Sequence, residues 1–104
     1  TENLLQAHPD VDAIFAQNDE MALGALRAIE AAQKQGKIIV VGFDADPEAK
    51  DAVRLGEMDA TVEGSPYKLG IMGIEAALKH LNGETLPEQI LLPLELVTQE
   101  SLTK

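Results

Sequence analysis

Two short apolar runs, residues 13–16 and 38–43, contain no alternating polar positions. Continuous runs of this length are typical of strands that are buried on both faces of a parallel sheet. Each run is followed by polar residues suited to a helix cap and then by a segment rich in helix formers. The pattern therefore predicts two strand–helix units, with helices over residues 21–34 and 47–55.

The remainder of the chain continues this alternation of helices and strands. Residues 2–8 read as the end of a helix, and residues 60–62 predict a third, weaker strand. Apolar positions with helical spacing predict a helix over residues 66–81. The last segment, residues 89–97, is extended but is interrupted by Pro93, so it reads as an edge strand or a crossing strand. The order αβαβαβαβ predicts an α/β fold with a parallel sheet, flanking helices on its faces and right-handed crossovers.

Composition narrows the classes of function. The chain has 104 residues, with 18 acidic against 8 basic side chains and a net charge of −10, which argues against nucleic acid and anionic membranes as partners. It has no Cys, so disulfides, thiolate zinc sites and thiol nucleophiles are excluded. No apolar run approaches the roughly 18 residues that a membrane helix needs. Because the first residues resemble neither a signal peptide nor a natural start, we expect the chain to be part of a longer one.

In open α/β sheets, ligands bind beyond the carboxyl ends of the strands. The residues that follow the predicted strands are Gln17, Asn18, Asp19, Asp44, Asp46, Glu63 and Gly64. This set contains amides and carboxylates but no nucleophile beside a base, and the two histidines, His8 and His80, lie near helix ends. We therefore expect no catalytic residues. No spacing typical of metal ligands is present, so no metal site and no cofactor are predicted.

The amide and carboxylate set suits a neutral polyol. A carboxylate accepts hydrogen bonds from two hydroxyls, while an amide both donates and accepts, so Asn18 and Asp44 could together satisfy several hydroxyls of one sugar. A phosphate would be repelled there. Structural interpretations remain open beside this one: Asn18 is equally suited to be an N-cap, and spacing alone favours capping for Asp44 and Asp46. Phe43, which precedes Asp44, is interpreted as a core residue.

Three blocks of the chain resemble the bacterial ribose-binding proteins of ABC importers in residue identity, order and spacing. They are residues 3–25, 40–44 and 56–62. This resemblance covers almost the whole chain and weakens after about residue 83. It implies a type I periplasmic sugar-binding protein, in which two Rossmann-like lobes joined by three crossing strands close on a monosaccharide. The implied function is the binding of ribose or a related sugar as the solute receptor of an ABC importer.

The resemblance also implies an organisation for the chain, as the C-terminal part of a protein nearly three times as long. Residues 1–63 would belong to the C-terminal sugar-binding lobe, residues 64–93 to a hinge crossing and a segment of the N-terminal lobe, and residues 94–104 to a return strand and tail. The implied partners are a monosaccharide, a membrane permease reached through the intact protein, and either the missing N-terminal part or a second copy. The implied location is the periplasm or the extracellular face of the cell membrane.

The resemblance implies that Asn18 and Asp44 are ligands of sugar hydroxyls in the binding site. The ribose-binding pattern has a Gln ligand after the third strand, where this chain has Gly64. That departure removes a side-chain donor and acceptor and leaves the identity of the sugar open, with Gly64 as a residue of the site's rim or of the hinge.

Three other classes remain as alternatives. The effector-binding core of a LacI-type transcription regulator shares this fold class, but it would be accompanied by a basic DNA-binding headpiece. A response-regulator receiver domain would need an acidic pair after the first strand, an Asp after the third and a Lys near the end of the fifth, and this set cannot be placed. A sugar isomerase or aldolase would need an acid–base pair, and none is recognisable.

Overall fold

The computed structural model of the chain describes residues 1–103, which form five helices and four strands. These are α1 (Glu2–Ala7), β1 (Ala13–Phe15), α2 (Asp19–Ala31), β2 (Ile39–Phe43), α3 (Pro47–Leu55), β3 (Ala60–Glu63), α4 (Pro66–Leu81), β4 (Glu95–Thr98) and α5 (Gln99–Leu102). The predicted order αβαβαβαβ is confirmed as far as β4. The helix α5 was not predicted, because four residues are too few to give a helical periodicity.

The four strands form one open sheet in the order β1-β2-β3-β4. The pairs β1–β2 and β2–β3 are parallel, whereas β4 runs antiparallel to β3, with Ala60 opposite Thr98. The predicted α/β class is confirmed, but the sheet is mixed rather than wholly parallel. Pro93 lies outside the ladder, before β4 begins, so its missing N–H costs the sheet no hydrogen bond.

Helices α2 and α3 cover one face of the sheet. Ala22 and Ile29 of α2 are buried against that face, as their spacing indicates, and Val53 of α3 is fully buried. The opposite face is uncovered within residues 1–103: Phe15 is 63% exposed and Ile39 is 54% exposed. The prediction that the strands are buried on both faces is therefore wrong for this chain, because its helices pack on one side only.

Two helix ends differ in the structure from the sequence prediction. The helix α2 ends at Ala31 instead of continuing to residue 34, and Gln33 adopts a left-handed conformation with a φ of 56°. Asp46 occupies the N-cap position of α3, but its side chain makes no capping hydrogen bond. Helix ends depend on local competition among several caps, and such ends are commonly displaced by a few residues.

Helix α4 projects away from the sheet. Its apolar stripe is present as predicted, but none of its residues is buried, and Ile74, Leu78 and Leu81 are all exposed. The radius of gyration is 17.8 Å, whereas a compact chain of this length has one of about 13 Å. Within residues 1–103, no helix combines the length and apolarity needed to cross a membrane.

Candidate functional site

The carboxyl ends of β1, β2 and β3 lie at one edge of the sheet, because these strands are parallel. The register pairs Phe15 with Val41 and Phe43 with Val62. Asn18, Asp44 and Gly64 follow β1, β2 and β3 respectively, so all three come after the strands at this edge, which we call the carboxyl edge.

Asn18 caps α2. Its Oδ1 accepts a hydrogen bond of 2.8 Å from the backbone N–H of Met21. The structural interpretation of Asn18 as an N-cap is thus confirmed. The side chain is half-buried, and its Nδ2 donors have no partner among residues 1–103. A cap that uses only the oxygen leaves two donors available for a ligand.

Asp44 does not act as a cap. Its backbone N–H donates to the Val62 carbonyl at 2.8 Å, while its carboxylate is exposed and has no hydrogen-bond partner within the described residues. Its φ is 111°, and that of Ala45 is 58°. Such conformations in residues other than glycine cost about 1–3 kcal/mol each and require support from the surrounding structure. The turn formed by Asp44 and Ala45 is therefore held in place by other contacts.

Asp19, which follows Asn18, is fully buried. Its Oδ1 accepts a hydrogen bond of 2.6 Å from the hydroxyl of Thr61, another fully buried residue. Its Oδ2 accepts from the backbone N–H of Asp46 at 2.7 Å. The Thr61 Oγ1 in turn accepts from the N–H of Ala45 at 3.2 Å. This Asp19–Thr61 pair connects the ends of β1, β2 and β3 beneath the carboxyl edge.

The sequence pattern placed Asp19 only in the acidic first turn of a helix and among the residues after β1. A signal for its burial is present in Gly42, which interrupts an otherwise bulky apolar strand. A glycine inside a strand often marks the close approach of another group. A Cβ at position 42 would overlap the Asp19 carboxylate and crowd Ala22. Thr61, a polar residue in a short buried strand, is the second signal.

Gly64 is surrounded by apolar side chains. A Cβ built there would lie 3.1 Å from Leu94 Cδ2 and 3.7 Å from the ring of Phe43. The residue is not in a left-handed conformation, so backbone freedom does not explain the glycine, and Leu94, whose side chain is exposed, would have to shift only slightly to admit a Cβ. Phe43 is half-buried in this environment and lies outside the main core cluster, so its interpretation as a core residue is wrong.

The carboxylate of Glu63, the last residue of β3, is already paired. Glu63 forms an ion pair with Lys50 at 3.2 Å, which partly neutralises it. No group of three or more His, Asp or Glu side chains within residues 1–103 is arranged to hold a metal ion. The side chains at the carboxyl edge without a partner in residues 1–103 include the Asp44 carboxylate and, on its nitrogen, the Asn18 amide, and also the exposed side chains of Gln17 and Asp46. Their shared chemistry is hydrogen bonding to a polar, uncharged ligand.

Comparison with known proteins identifies the family of this chain. A family model described as a periplasmic binding protein domain matches residues 1–85. The chain therefore belongs to the periplasmic binding protein family. This membership confirms the resemblance seen in the sequence blocks and places the mixed sheet in a family of two-lobed proteins.

Among its relatives is the ribose import binding protein of Salmonella typhimurium, 48% identical over 99 residues, which are 95% of this chain and 33% of that protein. A solute-binding protein from Actinobacillus succinogenes with bound D-allose matches 98% of this chain and 36% of its own, at 37% identity and a TM-score of 0.84. A periplasmic ribose ABC transporter structure from Conexibacter woesei is also similar, at 38% identity and a TM-score of 0.82. The match covers 98% of this chain and 35% of that protein. The chain thus spans about a third of the relatives it matches.

Proposed function

We propose that this chain supplies part of a monosaccharide-binding site in a solute receptor of an ABC importer. In this proposal Asn18 and Asp44 bind hydroxyls of ribose or a related sugar, and Gly64 lies at the rim of the site or in the hinge. The observation that carries the proposal is the Asp44 carboxylate, which is exposed at the carboxyl edge without a partner among residues 1–103 while its backbone is anchored.

The chemistry of this pair favours a neutral polyol. A carboxylate accepts from two vicinal hydroxyls, and hydrogen bonds to a charged group contribute more than those between neutral groups. The Asn18 Nδ2 can donate to a hydroxyl or ring oxygen while its Oδ1 remains bound to the helix. The net charge of −10 disfavours sugar phosphates and other anions. The names of the relatives, which refer to ribose import and to bound D-allose, support the same class of ligand.

The organisation of the intact protein is part of this proposal. Residues 1–63 belong to the C-terminal lobe, residues 64–93 to a hinge crossing and a segment of the N-terminal lobe, and residues 94–104 to a return strand and tail. The exposed α4 supports this division, because a helix with an uncovered apolar stripe requires a partner. The receptor would work outside the cytoplasmic membrane, deliver sugar to a permease, and carry out no catalysis.

The test is a ligand screen on the intact protein that contains this segment. Thermal shift and then calorimetry would use D-ribose, D-allose, D-glucose and D-xylose, with D-ribose 5-phosphate as the charged control. We expect at least one neutral sugar to bind and the phosphate ester to bind far more weakly. The absence of binding by all four neutral sugars, or a preference for the phosphate, would contradict the proposed function.

A further inference from the structure

We propose that Asp19 is a positioning residue for sugar binding, which acts through Thr61 on the turn that presents Asp44. This inference rests on the proposed function and extends it to two buried residues that do not touch the ligand. The geometry points to it because the pair joins the two segments that carry the proposed sugar ligands.

The first step concerns the turn itself. Asp44 and Ala45 both have positive φ values, 111° and 58°, although neither is a glycine. A free loop with this sequence would relax to ordinary conformations, since L-residues rarely occupy this region. The direction of the Asp44 carboxylate therefore depends on contacts that hold the backbone of residues 44–46.

The second step identifies those contacts. Three successive backbone N–H groups are anchored: that of Asp44 to the Val62 carbonyl, that of Ala45 to Thr61 Oγ1, and that of Asp46 to Asp19 Oδ2. The first is a bond between backbones, which side-chain substitutions preserve. The other two end on Thr61 and Asp19, whose side chains are joined by a hydrogen bond of 2.6 Å.

The third step concerns Asn18. Asp19 is the first residue of α2 and directly follows Asn18, the N-cap. Fixing the Asp19 side chain beneath β2 and β3 thus fixes the position of Asn18 at the end of β1. One buried carboxylate sets the relative placement of the amide and the carboxylate proposed to share a sugar.

An apolar pair of the same size would not replace this arrangement. It could fill the space, but the N–H groups of Ala45 and Asp46 would lose their acceptors, and buried unpaired donors are unfavourable. The pair is also completely satisfied, since no buried side-chain nitrogen or oxygen within residues 1–103 lacks a hydrogen-bond partner. Fully satisfied buried networks make a structure rigid and specific.

The experiment compares Thr61→Val with Thr61→Ser in the intact protein, with D-ribose and D-allose as the calorimetric probes. Val keeps the shape of Thr61 but removes the hydroxyl, whereas Ser keeps the hydroxyl and loses a methyl group. We expect Thr61→Val to weaken binding roughly tenfold or more, because the turn without this acceptor no longer holds the Asp44 carboxylate in position, and tenfold corresponds to about 1.4 kcal/mol of binding free energy. We expect Thr61→Ser to remain within about threefold of the original protein.

A double-mutant cycle separates positioning from a general loss of stability. If Thr61 acts through Asp44, then adding Thr61→Val to an Asp44→Ala background will weaken sugar binding by no more than about twofold further. Val53→Ala, in the buried face of α3, serves as a control that lowers stability without touching the network. It is expected to lower the melting temperature and leave affinity unchanged.

The outcomes distinguish this inference from the proposed function. If the original protein binds none of the four neutral sugars of the screen, the proposed function fails and the inference fails with it. If it binds only D-glucose or D-xylose, that sugar becomes the calorimetric probe. If the original protein binds but Thr61→Val and Thr61→Ser have equal affinities, or the effects of Thr61→Val and Asp44→Ala are additive, the positioning role is wrong and the proposed function stands.

Discussion

Asp19 and Thr61 are 42 residues apart in the sequence, and their side chains form a buried hydrogen bond of 2.6 Å. The bond joins the start of α2 to β3 and passes beneath Gly42 of β2. Because both residues also accept backbone N–H groups from the turn after β2, the contact unites three chain segments at one edge of the sheet. A hydrogen bond in such a network contributes through the groups that it organises as well as through its own energy.

Removing the proposed carboxylate ligand will weaken sugar binding. In the intact protein, Asp44→Ala is expected to cost about 1.5–3 kcal/mol of binding free energy, the range for hydrogen bonds to a charged group. Calorimetry with the sugar that binds best will measure this. Asp12→Ala is the matched control, because it removes the same charge from an exposed position before β1, at the opposite end of the sheet. Equal sugar affinities of Asp44→Ala and Asp12→Ala would show that Asp44 is not a sugar ligand.

A glutamine at position 64 will shift the sugar preference toward ribose, because the ribose-binding pattern has a Gln ligand there. Gly64→Gln must displace Leu94, whose Cδ2 lies 3.1 Å from the new Cβ. Gly64→Ala causes the same displacement without adding an amide, so it serves as the control. Competition between ribose and other monosaccharides measures the preference. An unchanged ratio in Gly64→Gln would identify the position as tolerant of substitution.

The close approach of Asp19 to β2 makes Gly42 sensitive to the smallest side chain. Gly42→Ala places a Cβ against the Asp19 carboxylate, and we expect a loss of about 1–3 kcal/mol of unfolding free energy from overpacking. Gly24→Ala, within α2 and with open space around its Cβ, is expected to add roughly 0.5–1 kcal/mol. Urea denaturation of Gly42→Ala and Gly24→Ala, each compared with the original protein, measures the two changes in unfolding free energy. Equal stabilities would contradict the packing around Gly42.

The 104-residue chain studied alone will associate or bind sugar poorly. It exposes Phe15 and Ile39 on the open face of the sheet, β1 at a sheet edge, and the apolar stripe of α4. Exposed edges and apolar patches of this kind favour association. Light scattering is expected to detect oligomers, and calorimetry is expected to detect weak or no binding. A stable monomer with micromolar affinity for ribose would contradict this expectation.

Substitutions on α4 will show whether this helix forms the surface through which the 104-residue chain associates. Ile74→Lys is expected to reduce the oligomer fraction, since it places a charge within the apolar stripe. Glu75→Lys introduces the same side chain at the next exposed position of the helix, outside the stripe, and controls for the added lysine. Analytical ultracentrifugation of the two variants at one concentration gives the comparison. If both variants associate equally, α4 does not form the interface.

The order of elements and the shared edge of the sheet at which Asn18 and Asp44 lie were predictable from the sequence. Apolar runs, caps and helical periodicity are local signals, and the boundaries of α3 and α4 follow them directly. Parallel strands then bring Asn18 and Asp44 to the same edge without any knowledge of side-chain contacts. The three blocks that resemble ribose-binding proteins also predicted the family, and the match of the family model to residues 1–85 confirms it.

The tertiary structure alone decided the direction of β4, the exposure of one face of the sheet and the role of Asp19. In the sequence Asp19 resembles any acidic residue in the first turn of a helix. Its burial depends on Thr61 and on the gap left by Gly42, which adjacent strands bring to it from distant parts of the chain. Likewise, the conformation of Asp44 is set by hydrogen bonds to β3 rather than by its own preferences. Local patterns specify which elements form, whereas contacts between residues far apart in sequence determine how the groups at their ends are held.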